Sequence, residues 1–202
     1  MRWLGGMIAG VVLGLGLGTG ALAAAGDTAW DSKALLLDAP AGDSKPVPVD
    51  GTVTWKTGTD AKGGATLIGT AQFPARTLGM TVTIAANPDK SVPASHLVDL
   101  RFEVGAQFGG ASIVDLAAIA LKNDEMGQGT QLVGASVRVA DNSFLFALSA
   151  TAADLAKNMA LLGDRDFIDL GIVDDKGRRT VVTLGLGEAR AAFAEFAAAG
   201  LK

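Results

Sequence analysis

The chain has 202 residues, a formal net charge of −4, a single histidine, and neither cysteine nor tyrosine. An acidic chain without a basic stripe is a poor ligand for nucleic acid, which is bound chiefly by neutralising phosphates, so nucleic acid is excluded as a partner. The lack of thiols rules out disulfides, cysteine-based zinc sites and thiol chemistry, and stability must come from packing.

The first 26 residues set the address. Trp3–Gly26 carries no charge, and Arg2 is the only charged side chain ahead of Asp27. Two readings fit. One is a secretory signal peptide, with an apolar middle at Met7–Leu17 and small-residue cleavage sites at Ala21-Leu22-Ala23 and Ala23-Ala24-Ala25. The other is an uncleaved anchor, since about 20 apolar residues suffice to span a bilayer. In an anchor, Gly6, Gly10, Gly14 and Gly18 would share one helix face and favour close helix pairing, hence a homo-oligomer. Both readings place the remaining residues in the periplasm, either soluble after cleavage or tethered to the inner membrane through residues 3–26.

About 177 residues follow, enough for one domain with a substantial core. Thr28–Asp50 reads as a tether, with a short strand at Ala34–Leu37 and a Pro-rich connection through Pro40, Pro46 and Pro48. From Gly51 the apolar residues recur with period two. Val53, Trp55 and Thr57 alternate with Thr52, Thr54 and Lys56, and Ala65–Phe73 continues in β-branched and apolar residues. Leu78, Met80, Val82, Ile84 and Ala86 share one face of the next strand. Asn87-Pro88-Asp89 supplies turn chemistry. In Ser95–Val104, His96, Val98, Leu100, Phe102 and Val104 face one way, while Asp99, Arg101 and Glu103 face the other.

Gly105–Ser112 reads as a loop before the apolar run Ile113–Leu121, and Lys122–Gln131 as another. Leu132–Val139 and Phe144–Leu148 form a hairpin about Asp141-Asn142. Helical period appears late. Thr151 is an N-cap with Asp154 three residues on, Leu155, Met159 and Leu162 form a stripe, and Gly163 is expected as the C-cap. A hairpin turns at Asp174–Gly177. A last helix from about Glu188 to Ala199 carries Ala189, Ala192, Phe193 and Phe196. Eight to ten short strands without crossover helices predict a mainly β fold: an antiparallel sandwich or open barrel spanning residues 51–202, with two short helices near its end.

Candidate chemistry is sparse. Ser95, His96 and Asp99 invite a triad, yet strand geometry sends His96 to the face opposite the other two. The expected role of His96 is a histidine at the rim of a core face, hydrogen-bonded to a loop. Gly185-Leu186-Gly187 resembles the start of a dinucleotide fingerprint, but Arg190 holds the third glycine position, and a tight strand-to-helix turn is the simpler reading. Asp164, Asp166 and Asp169 cluster without the alternating ligands that a calcium loop needs. Arg178-Arg179 reads as a solvated hairpin face. No metal, cofactor or catalytic set is assigned, and His96, Asp99, Arg101, Arg165 and Asp169 remain as candidates for a ligand or partner site.

Short motifs carry a resemblance. Pro93-Ala94-Ser95-His96 with the strand to Phe102, Phe144–Ser149, and Asn158–Asp169 with Leu161-Leu162, Arg165 and Phe167-Ile168-Asp169 are similar to an uncharacterised family. Its members are exported or membrane-anchored alphaproteobacterial proteins. The helix–hairpin–helix layout of Ala152–Ala199 is more distantly similar to the invasion-associated locus B family. Neither resemblance implies an activity. The expectation is a non-catalytic module of the envelope that binds an envelope protein or cell-wall partner, or serves a structural role. Two alternatives stay open. One is a hydrolase of envelope polysaccharide or peptide, with Gly105–Ser112 and Lys122–Gln131 framing its cleft. The other is a carrier of a small apolar ligand held in an unfilled interior.

Overall fold

Period-two segments become strands because each can bury one face. The computed structural model describes residues 28–38 and 47–201. In chain order the elements are β1 (Ala29–Asp38), β2 (Val47–Thr59), β3 (Ala65–Phe73), β4 (Leu78–Ala86), β5 (Ala94–Val104) and β6 (Ile113–Lys122). There follow β7 (Thr130–Gln131), β8 (Gly134–Ala140), β9 (Ser143–Ser149), α1 (Ala152–Asp164), β10 (Phe167–Asp174), β11 (Arg179–Gly185) and α2 (Arg190–Ala199). The strands form one antiparallel sheet in the order β7-β6-β10-β11-β1-β2-β3-β4-β5-β9-β8. The expected mainly β architecture with two late helices is borne out, in its open-barrel form: a single curled sheet.

Both ends of that order belong to one segment. Thr130 and Gln131 pair with Leu121 and Ala120 of β6, whereas Gly134–Ala140 pairs with β9. The strand expected at Leu132–Val139 is therefore split, because the chain changes partners at Leu132-Val133. Leu132 still donates to Ile119 O and Ser149 donates to Val133 O. The side chain of Asn158, fully buried on α1, completes this crossing. Its Oδ1 accepts from Val133 N and its Nδ2 donates to Val133 O, both at 2.8 Å.

The concave side is filled by the inward faces of the strands and by the helices. Trp55, Phe73, Phe144 and Phe193 are fully buried there. Trp55 reaches from β2 across β1 and donates Nε1–H to Gly185 O of β11 at 2.8 Å, and its ring meets Phe193 of α2 edge-on at 4.9 Å. Gly69 is small for a reason: a Cβ there would lie 2.5 Å from the Trp55 ring.

Three expectations are corrected. Within the stretch read as a tether, β1 is an interior strand paired on both sides, by β2 and by β11. Ala34, Leu35 and Leu36 are all buried, so the strand is covered on both faces and shows a continuous apolar run rather than alternation. Gly163 does not cap α1, which continues to Asp164 with Arg165 at the C-cap. Gly163 instead lets α2 approach, since its Cβ would stand 3.1 Å from that of Ala197. Arg178 is not a solvated residue. Its Nε binds Asp174 Oδ2 at 2.7 Å, and its guanidinium lies over Phe108 at 6.0 Å. The leader Trp3–Gly26, with Gly6, Gly10, Gly14 and Gly18, lies outside the described residues, as do Pro40 and Pro46.

Candidate functional site

The predicted site residues distribute to three places. His96 points inward from β5 with only 4% of its surface exposed, packed 5.5 Å from the ring of Phe196. Its Nδ1 has no hydrogen-bond partner, so the expected bond to a loop is absent. Burial pushes its pKa below the usual 6.5. Ser95 turns away and donates to Ser149 O at 3.2 Å. As the strand pattern requires, Ser95, His96 and Asp99 do not assemble.

Asp99 and Arg101 stand on the outer face of β5, bound to one another at 2.9 Å. With Thr81 and Thr83 of β4 they line a depression of about 360 Å³. A second outer depression of about 450 Å³ is lined by Thr54, Lys56, Ile68 and Thr70 of β2 and β3. The two adjoin, because Thr70 is the register partner of Thr81 and Ile68 of Thr83. They form one half-open surface across four strands, threonine-rich with Lys56, Ile68, Asp99 and Arg101, and Thr54 is tied to Asp31 by a 2.6 Å hydrogen bond.

Asp169 lies six strands away on β10, where sequence reasoning missed its partners. Lys122 Nζ meets Asp169 Oδ2 at 2.7 Å and Thr183 donates to Asp169 Oδ1 at 2.7 Å. Lys122 is 4% exposed at its side chain and Asp169 16%. Nearby, Lys33 and Glu125 form an ion pair at 2.8 Å. Lys122 is thus a buried cation held by the Asp169 carboxylate, and removing either partner would leave the other uncompensated in a covered site. Arg165 lies 3.8 Å from Asp164, and Arg190 at the start of α2 bridges Asp164 at 3.7 Å and Asp166 at 3.2 Å. The acids read as a cluster in the sequence are thus separated, Asp164 and Asp166 facing arginine and Asp169 facing Lys122, and no group of three or more metal-ligating side chains occurs among the described residues. The turn after β11 packs against β1, where a Cβ on Gly187 would stand 3.0 Å from Ser32 Oγ.

The loops expected to frame a cleft do not meet. Residues 105–112 precede β6 and residues 123–129 follow it, about 30 Å apart along a ten-residue strand. The first loop is clamped to the β10–β11 turn. Asp175 Oδ1 accepts from Ala111 N, Arg178 Nη2 donates to Phe108 O and Lys176 Nζ donates to Gly109 O. Asp174 anchors that turn. Burial raises its pKa, but donors from Arg178 and Lys176 outweigh burial and hold the carboxyl below the usual 3.8.

No family model, no curated protein and no solved structure matches this chain. The candidate site is a half-open face of threonines and charged side chains on β2–β5, three to six strands from the buried ion pair on β10.

Proposed function

We propose that the protein is a non-catalytic, periplasm-facing module of the cell envelope, and that the outer face of β2–β5 is where it meets a partner. The observation that carries this reading is the contrast between the two sides of the sheet. The concave side is packed with Trp55, Phe73, Phe144 and Phe193, whereas the outer side opens two adjoining depressions lined by threonines, Lys56, Ile68, Asp99 and Arg101. A filled interior disfavours an apolar-ligand carrier. Shallow hydroxyl-rich depressions with one exposed ion pair suit an extended polar partner, such as an envelope protein or cell-wall polymer, better than a small enclosed substrate. The leader supports the address. If it is retained, residues 3–26 add membrane association and the spaced glycines a route to self-association; if it is removed, both are lost.

The test is site-specific photo-crosslinking in intact envelopes, with the probe at Thr83. Discrete adducts with an envelope component are expected, reduced by Arg101→Glu. Adducts identical to those from a probe at Lys157, an exposed position on α1, would overturn the contact face. Recovery of the protein in the cytoplasmic fraction would overturn the address.

A further inference from the structure

His96 lies on the concave side, away from the proposed contact face, and is the only histidine in the chain. Three elements enclose it. β5 carries it, α1 contributes Met159, and α2 contributes Phe196 and the C-cap Gly200. A Cβ on Gly200 would lie 2.8 Å from both His96 Nε2 and Met159 Sδ, so the last turn of α2 sits directly on the imidazole. Nδ1 is buried without a partner. A neutral ring tolerates this setting, but an imidazolium carries a donor on each nitrogen and needs water or an acceptor for both.

The surroundings offer no such help. β4 and β9, the strands beside β5, carry no titratable side chain. On α1, Asp154 is engaged by Ser149 and Thr151 at 2.7 and 2.8 Å, and Asp164 faces Arg165 and Arg190. Asp99, Arg101 and Glu103 lie on the opposite face of β5. Lys157 on α1 and Glu195 on α2 are exposed, Glu195 at the hollow beside Phe196, and Arg190 faces Asp164 and Asp166; among the described residues no carboxylate pairs with the ring. A hollow of about 250 Å³ runs along this flank of α2, lined by Thr57, Leu67, Ala192, Glu195, Phe196 and Ala199.

We infer that His96 makes the docking of α2 acid-sensitive: protonating the imidazole drives the last turn of α2 off β5 and α1, uncovering Phe196 and the hollow beside it while the sheet stays folded. The sign follows from proton binding. The docked state takes up the proton less readily than the open state, so docking is complete above about pH 6.5 and weakens as pH falls. Between that value and the lower pKa of the docked state, each pH unit shifts the equilibrium toward opening by about tenfold.

The experiment is backbone hydrogen exchange on the purified full chain from pH 7 to pH 5, corrected for intrinsic exchange. Amides in the last turns of α2 are expected to lose protection as pH falls below about 6.5, by up to about tenfold per unit, while those of β2 and β3 hold. His96→Phe, which keeps a ring but cannot titrate, is expected to abolish the dependence. Uniform loss across sheet and helix, or the same loss in His96→Phe, would overturn the inference. Because His96 is the only imidazole, its NMR titration in the wild-type protein is a second test that needs no variant. A midpoint at or above 6.5 would equally overturn it.

Discussion

Replacing Asn158 by leucine keeps the branching and heavy-atom count of the side chain but removes both hydrogen bonds to Val133. Val133 O retains the amide of Ser149, so one acceptor survives. Val133 N has no such substitute at the crossing from β6 to β9, and a buried unsatisfied donor costs about 1–3 kcal/mol. The lost bond to the oxygen adds roughly 0.5–1 kcal/mol. The sum, about 2–4 kcal/mol, corresponds to a fall in Tm of about 4–16 °C for a chain of this size. Urea denaturation would measure the first figure and calorimetry the second. Hydrogen exchange at Val133 and Leu132 should accelerate before that of β2 or β3. A variant within about 0.5 kcal/mol of wild type, an ordinary value for an inconsequential substitution, would refute the view that this amide seals the two ends of the sheet.

Lys122→Met leaves the Asp169 carboxylate without its cation in a covered site, with only the Thr183 hydroxyl still bonded to it, and should cost about 3–5 kcal/mol. Adding Asp169→Leu should recover much of that loss in the same denaturation assay, whereas additive losses would refute the reading of a mutually compensated pair. Gly69→Ala forces a methyl against the Trp55 ring. It should cost about 1–3 kcal/mol, accompanied by a change in tryptophan fluorescence as the bond from Trp55 to Gly185 loosens. An unchanged spectrum and midpoint would contradict the close approach.

Legibility followed burial pattern. β4 and β5 were readable because each buries one face, so Met80, Val82 and Ile84, and Val98, Leu100 and Phe102, alternate with polar residues. The same alternation separated His96 from Ser95 and Asp99 without any structure. β1 was only partly visible, because a strand covered on both faces loses that alternation. Thr151 announced the start of α1, and its Oγ1 accepts from Asp154 N. Asn158 gave no signal, since a polar residue within a helix reads as solvent-facing unless its partner, 25 positions earlier, is known. Lys122, Asp169 and Thr183 were equally silent as a group, because pairing across β6, β10 and β11 brings them together.

Local chemistry in the sequence determined the strands, the turns, the helix start at Thr151 and the sidedness of His96, since these depend on residues within a few positions of one another. It also supplied the expectation of an exported protein, through the uncharged leader. Strand order was decided only by the tertiary structure: β1 enters between β2 and β11, and one segment passes from β6 to β9. Register partners more than a hundred positions apart, such as Leu36 and Val182, meet only when the sheet curls. The same curling sets a polar outer face over β2–β5 and packs α2 against His96. Which residues share an environment is a property of chain closure, and no spacing along the sequence encodes it.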